Sequence, residues 1–429
     1  MSLSKASFIA TAALLLSVCW VHGCKQSEKG VETKQQSTLA NPALEFEPQP
    51  QSLSARAGIA ATRHAKIVED NVASGALHFL AVIGTEDNSR LALLNSEDGG
   101  DTFDQPVRVS EKRAQLSSHG ENSSGYVVTP DFMYAAWNQG GDIRLARSLT
   151  WGGSFEKPVR ISDKPAKDFS GYVSIGVAPN GDVWAVWLDT RDRENGHEVY
   201  SLYAARSSDH GVTFGKNMRV ASHVCECCRP NVSFGPKGEV MLFWRHIYPG
   251  SIRDMTVAVS ADNGATFSAP IRIAEDNWRL EGCPDSGVAL ARAGNRVYAA
   301  WLTEASPAIG GVRLTWSDDA GKTWAPAVLA SQAILDANYP AMSAASDGRV
   351  ELVFQGRNPD KSKGWAATSA FVVEIAPDGK LSEPIEVPGI TRAISRPTVF
   401  AGVNGRVFVA WTSVQDGKPG VWYSRGRHI

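Results

Sequence analysis

The chain has no surplus of positive charge: 43 Lys and Arg stand against 45 Asp and Glu, a formal net charge of −2. A protein that holds nucleic acid by bulk charge needs such a surplus to neutralise phosphates, so that class is excluded. Long hydrophobic runs are missing apart from Phe8 to Val21, which is too short to cross a bilayer comfortably. Methionine is scarce, at 6 of 429 residues, whereas 39 Gly and 13 Trp point to many tight turns and short strands. Hydrophobic residues make up 43% of the chain, which is ordinary for a protein with a buried core and excludes a disordered one. Length alone suggests two or three domains. The internal repeats described below replace them by one.

Lys5, the apolar run and the small residues after it read as a signal segment over residues 1–23. Val21-His22-Gly23-Cys24 resembles the bacterial lipoprotein box, although His22 stands where a small residue is usual. The resemblance implies lipidation of Cys24; the alternative is plain secretion, with Cys24 at an ordinary cleavage site. Residues 24–60 are polar and rich in Gln, Ser and Pro, as a flexible tether would be. By the same resemblance, Lys25 after the cysteine favours the outer membrane if the source is Gram-negative, with the periplasm or cell surface as the alternatives. The expectation is an extracytoplasmic, monomeric body over 61–429, held to a lipid membrane through Cys24 alone.

Within that body an apolar strand ending in an aromatic or Val recurs seven times: LHFLAV (77–82), FMYAAW (132–137), VWAVW (183–187), VMLFW (240–244), VYAAW (297–301), VELVF (350–354) and VFVAW (407–411). The strand ends lie 55, 50, 57, 57, 53 and 57 residues apart. Each is preceded by a strand closing on a turn and followed by another strand, usually with a short edge strand after it. Four short strands at a period of roughly 50 residues are the mark of a propeller blade. The fold class is therefore all-β, a propeller of four-stranded blades, seven in number with six as the alternative. The last unit lacks a fourth strand. Residues near 45–60 are the candidates to supply it and close the ring.

A second repeat sits between the third and fourth strands: SEDGGDTF (96–103), SLTWGGSF (148–155), SSDHGVTF (207–214), SADNGATF (260–267) and SDDAGKTW (317–324). It resembles the Asp-box of the bacterial sialidase-like, BNR-repeat propellers; one copy has Thr150 in place of Asp. Asp in such a hairpin accepts hydrogen bonds from its own turn, and Gly supplies the positive φ. Asp98, Asp209, Asp262 and Asp319 are accordingly expected to be turn locks rather than catalytic acids. The resemblance implies the same, placing the boxes on the face opposite the active site.

Function is expected on the rim where inner strands begin. The loops there carry Arg229, Arg245, Arg253, Arg279 and Arg396, whose planar guanidinium groups suit a carboxylate, sulfate or phosphate. The bland alternative pairs them with Asp189, Asp192, Asp276, Glu281 and Asp285 of the same loops. Cys225, Cys227, Cys228 and Cys283 also fall on two adjacent loops of this rim. Two readings stand for them. One is two disulfides, with Cys225–Cys228 and Cys227–Cys283 the least awkward pairing. The other is a soft-metal site for Cu or Zn, or a redox site, in which His223 joins the cysteines.

The family resemblance adds a carboxylate-binding arginine triad, a Tyr nucleophile and an Asp acid/base. Arg63 lies where the first arginine belongs but without the family's following Pro; Asp87 and Tyr339 are the weak candidates for the acid/base and the nucleophile. Three functions follow: a sialidase-like propeller binding an anionic glycan or protein, a divergent exo-sialidase or other glycoside hydrolase, and a thiolate metal or redox protein.

Overall fold

The second strand of each repeat is apolar along its whole length because both its faces are covered. Leu77–Ile83, for example, is buried at every residue. In the computed structural model these strands lie inside seven antiparallel sheets. Residues 44–59, 62–69, 76–84, 88–111, 116, 121–163, 168–360, 368–415 and 418–429 are described, without the side chains of 62–64, 68, 69, 415 and 418. Cys24 and Asp87 lie outside the described residues, as does the Arg63 side chain.

The inner strands, in blade order, are Thr62–Glu69, Gly125–Val128, Ser170–Val177, Asn231–Phe234, Val288–Ala293, Leu335–Ala344 and Ile394–Ala401. Each packs on the next, and the last packs on the first. The ring is therefore closed with seven blades, and the six-bladed alternative falls. Closure comes from Leu44–Phe46, which pairs with Lys418–His428 as the outer strand of the seventh blade. Gln51–Ser52 pairs with the same strand. The boundary at residue 60 is thus corrected: residues 44–56 belong to the ring, because an open seventh blade would leave an edge of unpaired backbone.

Each of the seven blade interfaces holds one apolar cluster. The repeated strand-end aromatics fill them. Trp137, Trp187, Trp244, Trp301 and Phe354 are at most 1% exposed. Each such indole removes roughly 200 Å² from water, an upper bound of about 5 kcal/mol at 25 cal/mol per Å². The aromatics are spent on holding blades together, so the rest of the account turns on the loops.

All four full Asp-boxes have one geometry. The Asp209 carboxylate accepts from Thr213 N at 2.9 Å, Thr213 Oγ1 at 2.6 Å and Ser207 Oγ at 2.6 Å. Asp98, Asp262 and Asp319 repeat the pattern with Thr102, Thr266 and Thr323. In the divergent copy, Thr150 Oγ1 accepts the Ser154 N–H at 2.9 Å and meets the Ser154 hydroxyl at 3.0 Å and the Ser148 hydroxyl at 3.4 Å, a weaker version of the same set. The Thr266 hydroxyl and amide hold Asp262 down at about 2.

Candidate ligand site on the propeller axis

Seven inner strands meeting at one axis enclose a cavity of about 310 Å³, lined from every blade. Its charged walls are Lys66, Glu121 and Arg229; Ser174, Asn231, Ser343 and Thr398 are polar, and Tyr126 and Phe400 supply aromatic surface.

Four inner strands carry an irregularity, the first of them between Arg63 and Lys66. In the other three the register shifts between Gly171 and Ser174, between Asn338 and Ala341, and between Ser395 and Thr398. Inside these three bulges Tyr172, Tyr339 and Arg396 have φ of 57°, 51° and 49°. Asp285, just ahead of another inner strand, has φ 45°. A left-handed conformation costs a residue with a side chain about 1–2 kcal/mol, and a bulge re-aims that side chain. Four such residues at the mouth of one cavity mark where the ring has been shaped for something other than stability.

Three of the four touch. Arg396 Nη2 donates to Asp285 Oδ2 at 2.7 Å, and its guanidinium carbon lies 4.7 Å from the Tyr339 ring centre. The other Asp285 oxygen accepts the Glu121 N–H at 3.3 Å. The Glu121 carboxylate in turn accepts from Arg229 N at 3.1 Å and Gly287 N at 2.6 Å. Gly287 is required here, since a Cβ would come within 2.8 Å of that carboxylate. Arg229 donates from Nε to Ser174 Oγ at 2.9 Å, from Nη1 to Ser123 Oγ at 2.7 Å, and from Nη2 to the Val173 carbonyl. Lys66 makes no hydrogen bond or ion pair with any described residue.

Crowding of charge in a partly dry channel moves the proton equilibria. Burial pushes Glu121 up to about 7, against the Arg229 and Gly287 amides and the Arg229 charge, and with the help of Asp285. Burial and then Arg229 bring Lys66 down to about 8, with Glu121 opposing. Tyr339 is raised by burial, against the pull of Arg396. Near neutral pH the channel holds a carboxyl near its midpoint and an ammonium that begins to lose its proton just above neutrality.

The other rim arginines have different work. Arg245 is 1% exposed and donates to the carbonyls of Arg253, Ser286 and Leu302, tying the fourth blade to the fifth. Arg253 bonds Glu226, the Leu280 carbonyl and Cys225 Sγ. Arg279 is exposed, because it follows Trp278, which turns inward over Arg245. Thus Arg229 lines the cavity, Arg396 stands at its mouth, and Arg245, Arg253 and Arg279 do not face it.

Cys227 and Cys283 are disulfide-bonded, joining the entrance loops of the fourth and fifth blades. Cys225 and Cys228 are free and buried, with sulfurs 2.6 Å apart. Burial opposes a Cys225 thiolate, but the Cys228 hydrogen bond, Arg245 and Arg253 outweigh it and bring the thiol to about 7; burial pushes Cys228 up. His223 does not join the cysteines: its ring is exposed and lies 3.2 Å from Glu194. Its φ of 56° turns it out of the alternation that would have faced it toward them.

Glu121, Lys66 and Tyr172 were missed by sequence reasoning. The signal for Glu121 was its place in the loop entering the second blade, directly ahead of the inner strand GYVV.

Residues 146–352 match the model of the BNR repeat-like domain family, a span that holds four of the five boxes. The match spans just under half of the chain. Among solved structures, a Dyadobacter fermentans protein of unknown function is similar at TM-score 0.53 and 13% identity, covering 90% of this chain and 100% of that one. A Hadza microbial sialidase matches at TM-score 0.48 and 15% identity, over 80% of this chain and 73% of its own. The NanB sialidase of Streptococcus pneumoniae matches at 0.44 and 14%, over 92% and 71%. No curated protein matches the sequence. At such identities the likeness shows fold and leaves chemistry to the site.

Proposed function

We propose that the BNR propeller binds a small anionic saccharide in its axial cavity. The observation that carries this reading is Lys66, a cation on the cavity wall with no partner among the described residues, beside Arg229. A bound carboxylate or sulfate supplies the missing counter-charge and restores the full charge of Lys66. Ser174, Asn231, Ser343 and Thr398 offer hydroxyl and amide partners for sugar hydroxyls, and Tyr126 and Phe400 an apolar face. A volume of about 310 Å³ is at the low end for small-molecule sites, so one sugar ring is the natural occupant rather than a chain. Thermal melting with N-acetylneuraminic acid, glucuronic acid, a sulfated monosaccharide and glucose tests it. An acidic sugar raises the melting temperature, glucose does not, and Lys66→Met weakens the acid at least tenfold. Equal shifts with glucose, or none with any acid, contradict the reading.

A second reading, a divergent glycoside hydrolase, draws on Tyr339 beside Asp285 and Arg396, with Glu121 as a carboxyl poised near neutrality. Release of a fluorogenic aglycone from acidic glycosides, abolished in both Tyr339→Phe and Glu121→Gln, supports it; turnover that survives both refutes it. We also propose that Cys24 is lipidated and anchors the propeller to an extracytoplasmic membrane surface. Cys24→Ser should move the protein from the membrane fraction to the soluble one.

A further inference from the structure

Four sulfurs converge where the entrance loop of the fourth blade meets that of the fifth. The Sγ atoms of Cys225, Cys227 and Cys283 lie within 4.8 Å of one another, Cys225 and Cys227 being 3.9 Å apart. Cys228 Sγ is 2.6 Å from Cys225 Sγ. In a tetrahedral site with metal–sulfur bonds of about 2.3 Å, neighbouring sulfurs stand roughly 3.8 Å apart. Cys225 and Cys227 already have that spacing. Cys283 must part from Cys227 on reduction, and Cys228, outside that set of three, must move at least roughly 1 Å from Cys225 and turn toward the other two.

The surroundings are those of anionic sulfur. Arg253 Nη1 donates to Cys225 Sγ at 3.3 Å, and Asp285 N donates to Cys227 Sγ at 3.3 Å. Outer N–H···S bonds of this kind hold thiolate ligands in place. Arg245 is fully buried beside them, its hydrogen bonds all end on carbonyls, and no carboxylate pairs with it among the described residues. Buried charges are ordinarily paired. Neutral disulfide sulfur leaves Arg245 without an anion. Four thiolates around Zn(II), or three around Cu(I), carry two negative charges; Arg245 offsets one, and Arg253, which Cys225 shares with Glu226, softens the other.

We propose that Cys225, Cys227, Cys228 and Cys283 form a closed site for one soft metal ion, Zn(II) or Cu(I), available when the Cys227–Cys283 disulfide is reduced. The disulfide becomes two thiols by taking two electrons and two protons from two reductant thiols, which form a disulfide, or two electrons from a phosphine and two protons from water, whose oxygen leaves in the phosphine oxide. The four thiols then release a proton for each sulfur that binds the ion. Three of the cysteines are buried, and Cys283 is exposed and marks the side from which the ion enters. None of the four cysteines lines the axial cavity, although Asp285 touches both Cys227 and the cluster at the cavity mouth.

The full chain, reduced anaerobically with a phosphine, is titrated with Zn(II) and Cu(I) against colorimetric chelators, and with Co(II) as a spectroscopic probe. The expected result is one equivalent bound, the absorption of tetrahedral cobalt thiolate, and at least tenfold weaker binding in Cys283→Ser and Cys228→Ser. Because a serine variant can lose its fold, alkylation of the wild type supplies a second readout. The loaded protein should shield its cluster cysteines, and the metal-free reduced protein should not. Reduced wild type that takes up neither ion, or takes one up while all four cysteines alkylate at the metal-free rate, overturns the proposal.

Discussion

At the Asp-box end of the ring, each acid is satisfied by its own hairpin: Asp209 by Ser207 and Thr213, Asp319 by Ser317 and Thr323. At the entrance end, the Glu121 carboxylate is held by amides 108 and 166 residues away, and Asp285 is shared with Arg396 across 111 residues. The first set is exposed or nearly so, and its hydrogen bonds hold its carboxyls below the ordinary range. The second is partly buried, and Glu121 rises to about 7. Acids of one chemical type thus serve as turn locks where their partners are local, and form a charged, strained cluster where their partners come from other blades.

The largest effect that would break this contrast is expected at Arg245, on the entrance side. Arg245→Ala leaves three buried carbonyls without a donor and a void beside Trp278. A loss of about 3 kcal/mol or more is expected in chemical denaturation.

Next comes Glu121→Gln, read through pH. Below the ordinary value of 4.5 the carboxyl is protonated in both states and contributes nothing. As pH rises from there to about 7, the unfolded chain ionises while the fold keeps the proton, so stability is lost; above that the loss is constant. Wild type should fall by up to about 3 kcal/mol relative to the variant between pH 5 and 8. Parallel curves for the two proteins would remove Glu121 from the account.

The smallest effect is at the far end. Asp209→Ala should cost about 1 kcal/mol, as loss of a capping side chain does, and leave ligand binding unchanged. Burial works to raise the Asp209 carboxyl, but the Ser207 and Thr213 hydrogen bonds together outweigh it and hold it down to about 2. Its stabilising contribution is complete above the ordinary value of 3.8 and lost as pH falls toward 2.

The same contrast explains what was legible in the sequence. Partners four residues apart leave a pattern, so the boxes, the strand ends and the blade period could be read directly. The closing strand near residue 45 followed from counting strands. The cysteine spacing left disulfides and a metal site both open, and of its two least awkward bonds Cys227–Cys283 is formed while Cys225–Cys228 is not, those two thiols being free. Glu121, Lys66 and Tyr172 left no such trace, since their partners lie on other blades and their aim is set by bulges. Arg279 looked like a rim cation until Trp278 was seen to face inward. Arg245 and Arg253 sat in the right loops but point into the seam between blades.

The account rests most directly on Lys66. Calorimetric titration of an acidic sugar that stabilises the protein, at pH 8 in two buffers of different ionisation heat, measures protons taken up on binding. Because Lys66 stands near 8 in the free protein, an anion beside it should draw in a substantial fraction of one proton. The uptake should vanish in Lys66→Met, together with most of the affinity. Binding of the same strength in that variant, with no proton linkage in either protein, would contradict a ligand site built around the axial lysine.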